Sequence, residues 1–270
     1  MIVRPKSFRI DPTSNLAKGL VFAGLGAHPG ASTMFDSSLR RNNGALTNMD
    51  PASDWVFVPE LGRWGLDNFD QNRERVIISR HPSINDVRPL TLVIWHRCNA
   101  TGGRNILVGK EPYIVPYYSW IMGYWYGSWY FGVAGDTDLT VSFAAPPLSQ
   151  WTCDVLTWDG GTDATGVSLH RNGRQLPQNT SQDGVNLYSD AAYDLEFGYD
   201  HPTDSWWGGI ADPLIYNRAL TPTEIADLAD PSNVSLSGML DWGRTRKRYF
   251  LPTSSSIIPH VMHYRRLMST

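Results

Sequence analysis

The stretch that decides the fold runs from residue 194 to residue 231 and reads DLEFGYDHPTDSWWGGIADPLIYNRALTPTEIADLADP. Near its start, Leu195, Phe197 and Tyr199 alternate with Glu196 and Gly198. This period of two is typical of a half-buried strand. Residues 207–216 form a second apolar run with two glycines near its start, as found where strands bend or approach closely. The stretch therefore predicts two strands of a sheet.

A short helix is predicted directly after these strands. Thr221 is suited to be its N-cap, with Pro222 at the first helical position and Glu224 as the capping-box partner. Ile225 and Leu228 give the helix one apolar edge. A capped helix with a single apolar edge can close a structure, and we expect it to lie across the open end of a β-sandwich.

The segment from residue 208 to residue 225, GGIADPLIYNRALTPTEI, resembles the closing motif of laminin-G-like, concanavalin A-like jelly rolls. Weaker similarity extends back to about Leu16. The resemblance implies an all-β fold, a two-sheet antiparallel jelly-roll sandwich with one short C-terminal helix and extended terminal arms. This fold hosts enzymes, lectins and structural modules, so the resemblance indicates the fold far more specifically than the function.

The chain divides into three predicted segments. Residues 1–15 are polar and contain two prolines, and we expect an N-terminal arm there. Residues 16–232 form the jelly-roll domain, since an all-β sandwich of this length is ordinarily a single domain. Residues 233–270 change to a basic and aromatic character and are predicted to be a tail outside the sandwich.

The domain contains a series of predicted strands and hairpins. Residues 117–131 are the most aromatic segment and are predicted to form a hairpin with its turn at Gly127-Ser128. Asn172-Gly173 is the strongest short hairpin signal in the chain. Further strands are predicted at 16–25, 90–98, 104–110, 139–144 and 151–158.

The bulk properties exclude several classes of protein. A net charge of −3 gives no overall field that would attract nucleic acid or an anionic membrane. No apolar run approaches the roughly 20 residues of a membrane span.

Cys98 and Cys153 both lie in apolar, strand-like runs, where buried free thiols are expected and a disulfide is the alternative. The first residues lack the apolar core of a secretory signal, so we expect a protein made in a cytoplasm, or released with a particle assembled there.

A catalytic site is not evident in the sequence. Related glucanases carry three carboxylates on one strand, two of which act on the glycosidic bond. Here Asp194 and Glu196 are followed on the same face by Gly198, so the third carboxylate is missing. Asp154 and Asp159 flank a strand but do not face together. The prediction is a protein that is not an enzyme, with a polysaccharide hydrolase as an alternative.

A structural calcium ion is implied by the family resemblance. Jelly rolls of this type often hold Ca²⁺ between an early loop and the closing strand, through carboxylate and carbonyl oxygens. The matching ligands are Asp36 and Asp212, although Pro213 departs from the family pattern. The alternative is that Asp36 begins an Asx-turn and Asp212 caps a strand end.

The aromatic hairpin is a candidate contact surface for glycans. Flat aromatic faces stack on pyranose rings, and Trp and Tyr are equally favoured at protein–protein contacts. Alternation places part of the set in the core, because neighbouring residues of a strand point to opposite faces. The candidate residues are Tyr124, Trp125, Tyr126, Trp129 and Tyr130.

The tail is a candidate docking segment. Its large apolar residues favour an arm that becomes ordered on a partner, whereas its few charges are a weak signal for nucleic acid. The candidate docking residues are Trp242, Arg244, Arg246, Lys247, Arg248, Tyr249 and Phe250.

The layout is similar to jelly-roll proteins encoded by tailed phages, which combine an opening like that of residues 4–12, a laminin-G-like domain and a closing tail like residues 244–250. The resemblance implies a virion protein, a capsid decoration or fibre-associated module that docks through its arms. Its expected partners are other virion proteins, copies of itself and surface glycans. The rivals are a stand-alone lectin-like module and a polysaccharide-active enzyme.

Overall fold

The part of the chain that the structure describes folds into two packed antiparallel sheets with one short α-helix. The fold is taken from a computed structural model that describes residues 9–25, 29–70, 73–99, 103–110, 119–198, 205–233 and 235–241. Within these residues no helix is long and apolar enough to cross a membrane. The predicted fold class, a two-sheet sandwich with a single C-terminal helix, is confirmed.

The first sheet has nine strands in the order β16-β12-β11-β10-β9-β17-β7-β4-β3. Each pair of neighbours in it is antiparallel. Its strands are β3 Thr33–Met34, β4 Gly44–Thr47, β7 Arg75–Ile78, β9 Arg104–Lys110, β10 Trp120–Trp125, β11 Ser128–Val133, β12 Leu139–Ala144, β16 Thr180–Gln182 and β17 Leu195–Phe197.

The second sheet has eight strands, in the order β15-β14-β13-β8-β18-β6-β5, with β2 paired to β18 beside this path. Residues 207–216 of the closing stretch lie at its centre, because β18 pairs with β8, β6 and β2. The strands are β2 Leu20–Ala23, β5 Trp55–Val58, β6 Arg63–Asp70, β8 Leu90–Cys98, β13 Trp151–Trp158, β14 Val167–Arg171, β15 Arg174–Gln175 and β18 Trp207–Tyr216.

The main core lies between the two sheets. Alternation along each strand sends every second side chain inward. In β10, for example, Trp120, Met122 and Tyr124 join the main core, whereas Ile121 belongs to a small separate cluster with Ile106. The predicted buried thiols are confirmed, since Cys98 and Cys153 are both buried and neither forms a disulfide.

The helix α1 (Pro222–Ala229) begins as predicted. Glu224 N donates to Thr221 Oγ1 (3.3 Å) and Thr221 N donates to Glu224 Oε2 (2.9 Å), which completes the capping box. Its location differs from the expectation. Ile225 and Leu228 pack with Val155 on the face of the second sheet that points away from the first, so the helix covers a sheet face and not an open end.

A two-stranded ribbon replaces part of the expected arms. Strand β1 (Arg9–Ile10) pairs antiparallel with β19 (Leu240–Asp241), with Arg9 opposite Asp241. Leu16, Met239 and Leu240 are buried in the cluster beneath α1, because their apolar side chains gain more from burial than from exposure. Residues 9–15 and 235–241 are thus packed on the domain, and the predicted boundaries at 15 and 232 fall inside the packed unit.

The predicted hairpins are present. The Asn172-Gly173 turn joins β14 to β15, and its two residues have φ of 50° and 79°. The aromatic hairpin joins β10 to β11, but its turn is Tyr126-Gly127, one residue earlier than expected. Here φ is 42° and 97°, so a tyrosine occupies the left-handed region.

Candidate functional site

Two exposed aromatic residues lie at one end of the sandwich. Tyr126 N donates to Gly103 O (2.9 Å), and Asn99 N donates to Trp207 O (3.0 Å). Only four chain steps separate Asn99 from Gly103, which limits the distance between them to about 14 Å. The side chain of Tyr126 is 73% exposed and that of Trp207 is 42% exposed. Both are therefore available at the same end of the molecule.

Trp125 is braced from both neighbouring strands. Its ring stacks on Tyr130 of β11 at a centroid distance of 4.8 Å, and the Arg104 guanidinium of β9 lies 4.3 Å from its centroid. Tyr126 meets Trp125 edge to face at 6.3 Å. We call Arg104, Trp125, Tyr126, Tyr130 and Trp207 the aromatic rim. In this rim Trp125 supports the exposed Tyr126, because its own faces are already covered.

Two of the five predicted contact residues lie inside the protein. Tyr124 and Trp129 both belong to the main core, and Trp129 is fully buried. They face inward because they occupy the same pleat as Met122 and Phe131. Neither can contact a surface ligand in this arrangement, which corrects the predicted set to Trp125, Tyr126 and Tyr130.

A buried charged cluster lies beneath the rim. Trp129 stacks on His96 with centroids 4.7 Å apart, and His96 Nε2 lies 3.1 Å from Asp154 Oδ2 without the alignment of a hydrogen bond. Arg171 donates to both oxygens of Asp154, from Nε at 2.9 Å and Nη2 at 3.0 Å. Arg171 also donates to Ala144 O (2.7 Å). This cluster packs against Trp129 of β11, the second strand of the aromatic hairpin.

The electrostatics of this cluster favour the ionised carboxylate. Burial by itself would raise the pKa of Asp154, but His96 and Arg171 outweigh it and hold that pKa below its ordinary value. Trp206 also meets His96 edge to face, and four ring nitrogens in the cluster have no hydrogen-bond partner within the described ranges: His96 Nδ1, His96 Nε2, Trp129 Nε1 and Trp206 Nε1. Buried polar groups without partners are uncommon and mark places that are not optimised for stability alone.

The predicted calcium ligands have other partners. Asp36 is buried, and its carboxylate accepts hydrogen bonds from Ala23 N, Ser38 N, Ser38 Oγ and Asn42 N at 2.7–2.9 Å. The bond from Ser38 N is the Asx-turn contact of the alternative interpretation. The carboxylate of Asp212 accepts from Arg63 Nη1 at 2.7 Å.

This donor set as it stands does not fit a calcium ion, because the ion would have to displace a guanidinium and several buried donors. Across the described ranges, no group of three or more His, Cys, Asp or Glu side chains could hold a metal. Calcium binding therefore stays a prediction of the family resemblance.

Two further sets of predicted residues are the carboxylates considered for catalysis and the docking residues of the tail. The carboxylates considered for catalysis are each engaged: Asp194 Oδ1 accepts from Arg80 N (2.8 Å), and Glu196 lies 3.7 Å from Arg75. The docking residues of the tail, from Trp242 to Phe250, lie outside the described residues.

The comparison with protein families agrees with this architecture. The profile of the laminin G family described as "Concanavalin A-like lectin/glucanases superfamily" matches residues 70–226. The match covers more than half of the chain. The chain belongs to this concanavalin A-like superfamily. A search of curated proteins found no match.

Solved structures share the concanavalin A-like fold at low sequence identity. The binding domain of Paraclostridial Mosquitocidal Protein 1 superposes with a TM-score of 0.59 at 15% identity, covering 81% of this chain and 53% of that one. The botulinum neurotoxin serotype G binding domain gives 0.56 at 15%, covering 78% and 50%. A Trypanosoma rangeli sialidase gives 0.55 at 18%, covering 79% and 33%.

The chain thus spans about half the length of the toxin binding domains and one third of the sialidase. At these identities the likeness concerns the fold alone. The fold relatives include an enzyme and binding domains. The comparisons therefore support a lectin- or glucanase-like sandwich.

Sequence reasoning missed Trp207 and Arg104 as rim residues. Trp207 begins the strand predicted at 207–216 and Trp206 precedes it, and alternation alone would have placed one indole inward and the other outward. Arg104 gave no signal, because its position over Trp125 depends on the pairing of β9 with β10. The cluster of His96, Asp154 and Arg171 is likewise assembled by strand pairing, because β13 pairs with both β8 and β14.

Proposed function

We propose that this chain is a non-catalytic display module that binds carbohydrate through the aromatic rim and is attached to a virion through its terminal segments. The observation that carries the carbohydrate part is Tyr126. A bulky residue at φ 42° is strained, yet its ring is 73% exposed. Backbone strain combined with exposure of an aromatic face favours a role in binding over a role in folding.

The chemistry of the rim suits a sugar ring. Tyr126 and Trp207 offer flat apolar faces, and Arg104 adds hydrogen-bond donors beside them. The rim is braced by Trp125 and the buried cluster, so little side-chain entropy would be lost on binding. The binding domains of two toxins share this fold, and their names describe binding without catalysis.

The virion part of the proposal is supported by the arrangement of the chain ends. Arg9 and Asp241 lie side by side in the β1–β19 ribbon. Asp11 of this ribbon lines a cleft with Arg218, just beyond the Tyr216 end of β18, whereas Trp207 of the rim begins the same strand. A module anchored near one end of β18 would present the rim at the other. The resemblance of residues 4–12 and 244–250 to phage virion proteins adds to this support.

The test of carbohydrate binding is a glycan array followed by titration of the best pyranose-containing glycan. Tyr126→Ala and Trp207→Ala should each weaken binding roughly two- to tenfold, the effect of losing one aromatic stacking contact. Phe35→Ala is the matched control. Phe35 is 40% exposed and follows β3, which lies five strands, about 24 Å, from β10.

Three results would contradict parts of this proposal. Unchanged binding in both rim variants would remove the rim as the contact surface. Release of reducing ends from a polysaccharide by the wild-type chain would overturn the non-catalytic assignment. Retained association with virus particles after deletion of residues 242–270 would remove the tail as the attachment segment.

A further inference from the structure

A buried lysine lies at the end of β9, far from the aromatic rim. The side chain of Lys110 is fully buried. Its Nζ donates to Asn85 Oδ1 (2.8 Å) and to Asp190 Oδ1 (2.9 Å). Lysine is among the residues least often buried, and a buried amine in contact with both a carboxamide and a carboxylate is more than an ordinary ion pair.

The two partners of the amine are held in place by other contacts. Trp120 Nε1 donates to Asp190 Oδ2 (3.0 Å), and Asp86 N donates to Asp190 Oδ1 (2.8 Å). Asn85 Nδ2 donates to Ala191 O (3.3 Å), which fixes the plane of the carboxamide. Reactive groups held in contact in this way gain the large rate advantage of an intramolecular reaction.

The surroundings also ease the loss of a proton from the Lys110 ammonium. Burial lowers the pKa of Lys110, and the negative charges of Asp190, Asp86 and Asp194 restore it only in part. A neutral lysine amine is a nucleophile, whereas the ammonium is not.

We propose that Lys110 and Asn85 form an intramolecular isopeptide cross-link, with Asp190 as the proton carrier. Asp190 Oδ1 takes a proton from the Lys110 ammonium, and the amine nitrogen attacks Cγ of Asn85. The Nζ–Cγ bond forms and the Cγ–Nδ2 bond breaks. Asp190 returns the proton to Nδ2, and the nitrogen leaves as ammonium once the new amide has lost its extra proton. No oxidant or co-reactant is needed, and Asp190 ends as it began.

The cross-link would join the loop between β7 and β8 to the end of β9. The segment before β17 already contacts both partners, because Asp190 accepts from Lys110 and Ala191 accepts from Asn85, so three regions distant in sequence meet at this point. A covalent bond between these two residues, which lie 25 positions apart, restricts the unfolded chain and slows local opening.

The decisive experiment is an intact-mass measurement of the purified full chain under denaturing conditions, followed by peptide mapping. The expected result is a loss of about 17 Da, one ammonia, located in a branched peptide that joins Asn85 to Lys110. Asn85→Ala and Asp190→Ala should both have the mass calculated from their sequences. The wild-type measurement stands by itself if either variant fails to fold.

The chain contains its own control. Lys18 Nζ donates to Asn15 Oδ1 at 2.9 Å, but both residues are exposed and no carboxylate accepts from that amine within the described residues. This pair should remain unlinked. Three outcomes would overturn the proposal: an unmodified mass, a loss of about 18 Da from a Lys110–Asp190 link, or a loss of about 17 Da mapped to a succinimide at Asn43-Gly44 or Asn172-Gly173.

Discussion

Two hairpins of this sandwich use the same kind of turn with very different residues. The β14–β15 hairpin turns at Asn172-Gly173, and the β10–β11 hairpin turns at Tyr126-Gly127. All four residues have positive φ. Asn and Gly accept this conformation readily, whereas a tyrosine is strained in it. We infer that the Asn172-Gly173 turn stabilises the fold, whereas the Tyr126-Gly127 turn is less stable and exposes an aromatic ring.

The side chains of the two turns support this distinction. Asn172 Oδ1 accepts from Cys153 N (2.9 Å), so its side chain is used within the structure. Tyr126 makes an edge contact with Trp125 and otherwise faces solvent. Strain at an exposed side chain with few contacts within the fold agrees with the binding role proposed for Tyr126.

The largest effect is expected at the residue that connects the hairpins. Arg171 precedes the Asn172 turn, pairs with Asp154 and lies 5.9 Å from the Trp129 ring of the other hairpin. Arg171→Ala should lower the free energy of unfolding by about 3–5 kcal/mol, because it leaves a buried carboxylate without its main partner. Urea denaturation would measure the loss. Arg174→Ala, at an exposed residue, is the control. If both variants lowered the free energy of unfolding by the same small amount, the hairpins would be independent.

The Asn172 turn should be the more sensitive of the two. Asn172→Ala should cost about 2–3 kcal/mol, because alanine resists positive φ and Cys153 N loses its acceptor. Asn172→Gly keeps the conformational freedom and removes only the acceptor, so it should cost less than Asn172→Ala. Thermal unfolding of both variants would separate the two contributions, and equal losses would contradict a conformational role for Asn172.

The helix that packs beside the Asn172-Gly173 turn should show a smaller and pH-dependent effect. The Arg218 side chain, opposed by partial burial and aided by Thr221, holds the pKa of Glu224 at about 2, below its ordinary 4.5. The depressed pKa stabilises the folded state above about pH 4.5, and this contribution is lost as the pH falls towards 2.

Thr221→Ala should cost about 1 kcal/mol at pH 7 through loss of the N-cap. The stability difference between wild type and Glu224→Gln should shrink between pH 4.5 and 2, as measured by thermal melts across that range. A difference that is constant with pH would show that the Glu224 charge does not contribute.

The turn at Tyr126 should respond in the opposite direction. Tyr126→Asn should raise the free energy of unfolding by up to about 1 kcal/mol, because asparagine adopts positive φ at lower cost. The same variant should lose glycan binding on the array. A less stable variant, or one that binds as the wild type does, would remove the contrast between the two turns.

The smallest effect is expected from removal of divalent metal. The carboxylates of Asp36 and Asp212 are occupied by hydrogen-bond donors and a guanidinium, and neither turn depends on them. A chelator should leave the melting temperature unchanged. A clear fall in melting temperature, reversed by added calcium, would instead establish the ion implied by the family resemblance.

The predictions from the sequence were most successful for the local elements. Periodicity located β8, β12 and β13 at their observed bounds, and the capping box located the start of α1. The positions of these elements in the folded structure were predicted less well. The helix was expected at the end of the sandwich, and residues 9–15 and 235–241 were expected to be free, because their contacts are made with residues far away in the chain.

The sequence by itself determined the local strands, turns and capped helix, because alternation, turn residues and caps act over a few neighbouring residues, and the resemblance of residues 208–225 indicated the concanavalin A-like sandwich. Only the tertiary structure decided which aromatic residues face solvent, that Trp125 is braced by Arg104 and Tyr130, and that Lys110 meets Asn85 and Asp190. These contacts depend on strand order and register, which in the case of Lys110 bring together residues 25 and 80 positions apart.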